Sequence, residues 1–191
     1  MKIAITGHTA GIGQGLAKIL QSRGHDITGL SQRYSDNIRN TPKIVEKILP
    51  CDMFINNAQA GYAQTDLLYA VWQAWKGQVG KHIWNISTMM TQSPTTAEHE
   101  TQSVVGINAY RNQKIALEDA HHQLSAKEFL PKMILIRPGA VATQSWQTAP
   151  WPAADCDTWC QAVIDYITHA DQHKLNIAEI SLSAGRTPVG I

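Results

Sequence analysis

Tyr110 and Lys114 lie four residues apart in the stretch NAYRNQK. On a helix that spacing puts both side chains on one face. A phenol ionises near ~10 and is a poor acid–base group at neutral pH unless its surroundings shift it. A neighbouring ammonium favours the phenolate and lowers that value. The pair is therefore a candidate device for exchanging a proton with an alcohol or a carbonyl, and Lys114 could also bond a sugar hydroxyl. By itself the signal is weak, because Tyr and Lys at this spacing are common on helices. Two other clusters invite chemistry and receive a plainer reading. Cys156 and Cys160 have the spacing of a metal pair, but no paired His or further Cys completes a site, which predicts two buried free thiols on one helix face and no metal. His121-His122 reads as a solvated or capped pair on the same long helix as Tyr110, away from the motifs.

A second feature stands near the start, in ITGHTAGIGQGLA. Gly7, Gly11 and Gly13 separate an apolar run from a helical stripe. Such a loop brings backbone N–H groups to an anion, and the helix start adds partial positive charge. Gly7 would allow the tight turn, Gly11 the close approach of a pyrophosphate, and Gly13 the packing of helix on sheet. Thr6, His8 and Thr9 add polar groups, and Ile12 begins the helix. No Lys-Ser/Thr follows the glycines, which argues against a nucleotide-hydrolysing P-loop. Further on, GLSQRYSD ends a second apolar run. An acid at that place would hold the ribose of NAD, and a base would accept the 2′-phosphate of NADP. Ser31 and Arg33 occupy it, Asp36 comes later, and a guanidinium suits phosphate. NADP(H) is accordingly preferred over NAD(H).

These groups need elements to hold them. Lys2–Thr6, Ile27–Ser31, Asp52–Asn56, Ile83–Ser87, Met133–Arg137 and Ile177–Leu182 read as strands. Helical patterns alternate with them. One runs from Ile12 to a stop at Gly24, and one opens at Thr41-Pro42, with Thr41 as cap and Ile44, Val45, Ile48 and Leu49 inward. Others span Leu67–Trp75, about Val105 to Ala126, and the stripe Cys160, Val163, Ile164, Ile167. Strands apolar on both faces, alternating with helices, predict an α/β fold: a single doubly wound parallel sheet, Rossmann-like, with helices on both faces. In such a sheet ligands bind beyond the carboxyl ends of the strands, which is where the unusual residues cluster.

The bulk properties narrow the class. A chain of 191 residues suits one domain, here 1–191. Sixteen basic against fifteen acidic residues, scattered, argue against a nucleic-acid binder. No apolar run reaches membrane-spanning length, MKIAITG enters a strand at once without a leader, and three cysteines suit a reducing cytoplasm.

The ordered set of motifs says more than any one. Gly7/Gly11/Gly13, NNA (Asn56–Ala58), NIST (Asn85–Thr88), YRNQK (Tyr110–Lys114) and RPGAVAT (Arg137–Thr143) occur in the order of the short-chain dehydrogenase/reductase family, which the chain resembles over nearly its whole length. The resemblance implies a nicotinamide-dependent oxidoreductase acting on a small carbonyl or alcohol, as a homodimer or homotetramer. Tyr110 is then the acid–base and Lys114 its partner. The substrate-side hydroxyl is Thr88 first, with Ser87 as the alternative. Asn57, Ala58, Pro138, Gly139, Val141 and Thr143 would line the cofactor, and Asn37-Ile38 would stand near the adenine. The chain departs from the family in being short, with trimmed segments between strands two and four and after NNA. It has a longer gap before Tyr110, and it lacks an evident helix asparagine, for which Gln59 and Gln64 are the nearest amides. Those departures keep a non-catalytic, redox-sensing NAD(P)-binding protein as the alternative. A sugar-nucleotide epimerase is disfavoured by the short stretch after RPG. Trp72 and Trp75 suit either core or subunit contact. Trp146 and Trp151 suit either an apolar substrate wall or a small packed loop, and Met89 and Met90 could line the same pocket.

Overall fold

The computed structural model describes residues 1–92, 104–143 and 152–185. Strands β1 (Lys2–Thr6), β2 (Asp26–Leu30), β3 (Met53–Asn56), β4 (His82–Ile86), β5 (Lys132–Pro138) and β8 (Glu179–Leu182) form one sheet in the order β2-β1-β3-β4-β5-β8. All its pairings are parallel. Among the described residues, the helices α1 (Gly11–Ser22), α2 (Thr41–Ile48), α3 (Ala63–Trp75), α4 (Val104–Lys127) and α5 (Cys156–Gln172) connect them. A two-strand parallel pair absent from the sequence reading, β6 (Val141–Ala142) with β7 (Ala154–Asp155), brackets the region after β5. The expected doubly wound parallel sheet is present.

Alternation of side chains along each strand sends apolar residues into two cores. Ala4, Phe54, Ile83 and Met133 pack with residues of α2, α3 and α4. Ile3, Ile5, Met53, Ile55, Trp84, Ile134 and Ile136 pack under α1 and α5. Trp72 and Trp75 are buried in the first core, so the choice between core and subunit contact resolves to core. The two helices of the second layer approach closely. A Cβ on Gly15 would lie 2.8 Å from Cys160 Sγ.

Several local expectations shift. Asn40, not Thr41, takes the cap position of α2, and Leu49 is 40% exposed because the helix ends at Ile48. Ser31 leaves β2 and caps a short 3-10 turn, Gln32–Tyr34, its Oγ accepting from Arg33 N at 3.3 Å. Cys160 is fully buried but Cys156 only partly, and both are free thiols. His121-His122 splits in two: His122 is exposed and meets Glu179 at 2.7 Å, whereas His121 is buried against Asn85 at 3.1 Å. Burial first, then nearby positive charge, lowers the His121 imidazole to about 4, so it is neutral at physiological pH.

The chain runs outward from β1 to β2 and then returns to the other side of β1 as β3. That reversal opens a crevice above the carboxyl ends of β1 and β3. The doubly wound order 3-2-1-4-5-6 has two strands beyond the first; here, among the described residues, β2 stands alone on that side.

Candidate active site

Loops from β1, β3 and β5 meet at the crevice. Thr6, the last residue of β1, is a hub. Its hydroxyl donates to Ile55 O at 3.4 Å and accepts from Asn57 N and Ala58 N, each at 3.0 Å. Asn57 Nδ2 answers by donating to Thr6 O at 2.9 Å. Gly7 and Gly11 have φ of +71° and +53°, a region that disfavours side chains. A Cβ on Gly13 would lie 2.5 Å from Asn57 Nδ2 and nearer still to Gly7 O. A Cβ on Gly11 would press on Thr143 Cγ2 at 3.1 Å, so the far loop after β5 reaches the start of α1. Ala10, the N-cap of α1, has no side chain to satisfy the N–H groups of Gly11, Ile12 and Gly13. With no acid in that first turn, the helix start suits an anion, and a diphosphate fits its chemistry.

If the loop holds a diphosphate, Gly13→Ala is expected to abolish binding of a dinucleotide, by isothermal titration, at a cost of about 1–3 kcal/mol of stability in urea unfolding. Unchanged affinity would mean that the loop does not hold the ligand.

At the outer end of the crevice Thr9 Oγ1 and Ser31 Oγ lie 3.2 Å apart, and Arg33 follows on the exposed turn. Asp36 is buried and paired with Lys47 at 2.5 Å, so it is engaged by the protein itself. Asn37 Oδ1 accepts from Arg39 N at 3.0 Å, and Ile38 is buried in the core beside Ile44 and Ile48. Those two side chains are thus occupied by the turn and the core. Val141 is buried in the other core, and Pro138 ends β5 beneath Gly139.

On the other side of β3 and β4 stand the groups suited to proton transfer. Tyr110 and Lys114 share one face of α4, with Lys114 Nζ 5.7 Å from the phenol ring centre. The two hydroxyls at the end of β4 diverge. The Thr88 hydroxyl stands by the Tyr110 phenol and accepts from Met90 N at 3.3 Å, while Ser87 is turned inward and donates to Glu118 Oε1 at 2.5 Å. Burial raises the Tyr110 phenol above its ordinary value, with the nearby Thr88 hydroxyl pulling the other way. This corrects the expectation that the ammonium lowers it. Lys114 is itself pushed down to about 7 by burial, against the pull of Glu118, and aims its amine at Gln64 and Ile86 O. The arrangement is a protonated phenol, a neighbouring hydroxyl and a buried amine. It can give a proton to an oxygen placed between Tyr110 and Thr88.

Of the two amides nearest to the missing helix asparagine, Gln64 is the one that is buried and meets Lys114. Gln59 instead bonds Gln113, at the surface. Met89 and Met90 lie in a short 3-10 turn after Thr88, with Met90 O and Thr91 O held by Arg111 at 3.0 and 3.3 Å. Trp146 and Trp151 lie outside the described residues. Among the described residues no group of His, Cys, Asp or Glu could hold a metal, and no helix is long and apolar enough to cross a membrane.

Solved structures share this architecture. An alcohol dehydrogenase from the archaeon Thermococcus sibiricus, complexed with 5-hydroxy-NADP, is 15% identical, with 100% of each chain covered and a TM-score of 0.71. A short chain dehydrogenase from Burkholderia cenocepacia J2315 in complex with NADP is 15% identical over 96% of this chain and 88% of that one, with a TM-score of 0.71. The chain has the Rossmann-like α/β fold of these structures. The 3-alpha-hydroxysteroid dehydrogenase from Pseudomonas sp. B-0831, complexed with NADH, matches it at 16% identity over 95% of each chain, with a TM-score of 0.69. No family model and no curated protein matches the sequence. At such identities the likeness shows the Rossmann-like α/β fold, and the residues of the crevice carry the argument for function.

Proposed function

We propose that this chain is an NAD(P)(H)-dependent oxidoreductase interconverting a small carbonyl compound and its alcohol. The single observation that carries the reading is the convergence of Tyr110, Thr88 and Lys114 at the carboxyl end of a sheet whose first strand leads through a glycine loop into an uncapped helix start. The named neighbours, solved with NADH, NADP or 5-hydroxy-NADP, support it.

In this reading the N–H groups of Gly11, Ile12 and Gly13 bind the diphosphate, and the backbone near Asn57, Ala58, Pro138 and Gly139 walls the cleft. Thr9, Ser31 and Arg33 meet the adenosine end, with Arg33 accepting a 2′-phosphate. Because Asp36 is spent on Lys47, no acid competes there for a ribose, which supports the preference for NADP(H). A bound nicotinamide dinucleotide supplies or takes the hydride. Thr88 and Tyr110 grip the substrate oxygen, and Tyr110 donates its proton as charge develops there. Lys114 supports the phenol from below. Holding the reacting groups in one geometry removes much of the entropic barrier.

The test is a panel of aldehydes, ketones and alcohols with NADPH and NADH. Turnover with at least one carbonyl is expected, with lower KM for NADPH. Arg33→Ala is expected to raise the NADPH KM about tenfold, equivalent to ~1.4 kcal/mol, and to leave NADH nearly unaffected. Binding of dinucleotide without turnover across the panel would favour the non-catalytic, redox-sensing alternative.

A further inference from the structure

Lys114 reaches into the protein from α4 and ends between two oxygens. Its Nζ donates to Gln64 Oε1 and to Ile86 O, each at 2.8 Å. The glutamine cannot be turned over. Its Nε2 faces Asn56 O at 2.7 Å and Ile86 O at 3.1 Å, both of which only accept, so Oε1 must face the amine. Asn56 Nδ2 locks the same turn of α3 by donating to Gln64 O and to Asn85 Oδ1, both at 3.0 Å. Gln64 is 2% exposed and Lys114 is 3% exposed. A glutamine buried this deeply is costly unless all its polar atoms are engaged. Here they are, and one of them is engaged by Lys114.

We propose that Gln64 is a positioning residue: its carboxamide seats Lys114 beneath the Tyr110 ring and offers the amine a neutral acceptor where a carboxylate would pin its positive charge. The role in the reaction rests on the oxidoreductase reading above; the seating of the amine does not. The groups around Lys114 bear this out. Tyr110 lies one helical turn before it and Glu118 one turn after. Glu118 is answered by Arg137, whose Nε and Nη2 donate to it at 3.0 and 2.8 Å. Just after β4 come the hydroxyls of Ser87 and Thr88, and from β3 and α3 the amides of Asn56 and Gln64. His121 stands behind Asn85 and is neutral. Two carbonyl oxygens can be served by the two N–H bonds of a neutral amine as well as by an ammonium. Lys114 can therefore hold or release a proton without breaking its seat.

The test is an NMR titration of protein labelled with 13C at the lysine ε-carbon, Lys114 being assigned by its loss in Lys114→Met. The pH profile of kcat/KM is measured in parallel. Gln64→Glu is expected to raise the Lys114 midpoint by about 1–3 pH units, and to move the matching limb of the rate profile the same way. Gln64→Met, of equal length but without an acceptor, is expected to lower the midpoint and to cut kcat about tenfold or more while the substrate KM changes little. An active wild type whose midpoint and profile are unmoved by Gln64→Glu would overturn the role of Gln64 alone. A midpoint that moves in a protein with no turnover would retain the seating and remove the oxidoreductase reading.

Discussion

Replacing Tyr110 by phenylalanine is expected to lower kcat/KM for carbonyl reduction by about 10³-fold while dinucleotide affinity stays within about threefold of wild type. The reasoning is geometric. The phenol is the group that Thr88 meets at the end of β4, and burial keeps it protonated at neutral pH. A phenyl ring fills the same space over Lys114 and preserves the ring–amine contact, but it has no proton to give. Loss of a positioned general acid typically costs 10²–10⁴-fold. The affinity is spared because the glycine loop, Thr6 and Asn57 are held by one another and not by Tyr110. The measurement is steady-state kinetics beside fluorescence titration with NADPH. If Tyr110→Phe turned over at the wild-type rate, the phenol would have no part in the chemistry. The same assay on Ser87→Ala and Thr88→Ala separates the hydroxyls: Thr88→Ala should approach the tyrosine variant, since Ser87 is committed to Glu118.

The second large effect is on stability. Glu118 is buried and carries four hydrogen bonds. Ser87 and Thr91 donate to Oε1 at 2.5 and 2.8 Å, and Arg137 donates twice to Oε2. Arg137 also reaches Glu179 at 2.5 Å, tying α4 and β5 to the edge strand β8. Burial opposes the guanidinium charge, and the bonds to Glu118 and Glu179 more than restore it. Arg137→Ala leaves the Glu118 carboxylate buried without its counter-charge. Breaking such a pair from one side costs about 3–5 kcal/mol, against a total stability of about 5–15 kcal/mol for a typical domain. A fall in melting temperature of about 10 °C is expected in calorimetry. Glu118→Gln in the same background should recover much of it, because the stranded charge goes and the acceptor for Ser87 and Thr91 remains. An Arg137→Ala protein melting with the wild type would show that the network adds no stability.

The Glu118 network also bears on the site. Through Thr91, and with Arg111 on Met90 O, it holds the turn that follows Thr88. The stability of this edge and the placing of the Thr88 hydroxyl thus share one set of bonds.

Much of this was legible in the amino acids alone, where a periodic rule applies. Strands such as IAIT and MILIR are apolar on both sides, so they can only lie inside a sheet covered twice, and helical stripes between them require parallel crossovers. Tyr110 and Lys114 share a face because 3.6 residues make a turn. The glycines of the first loop are dictated by backbone conformation and by the close passage of Asn57 and Thr143. The tertiary structure alone decided what depends on residues far apart in the chain. Ser87 and Thr88 are chemically alike, and a change of direction at a strand end sends one to Glu118 and the other to Tyr110. Gln64 meets Lys114 across fifty positions, and His121 leaves its exposed neighbour to bond Asn85. No local pattern encodes those meetings, because the free energy that selects them comes from satisfying buried polar groups after the sheet and helices have packed.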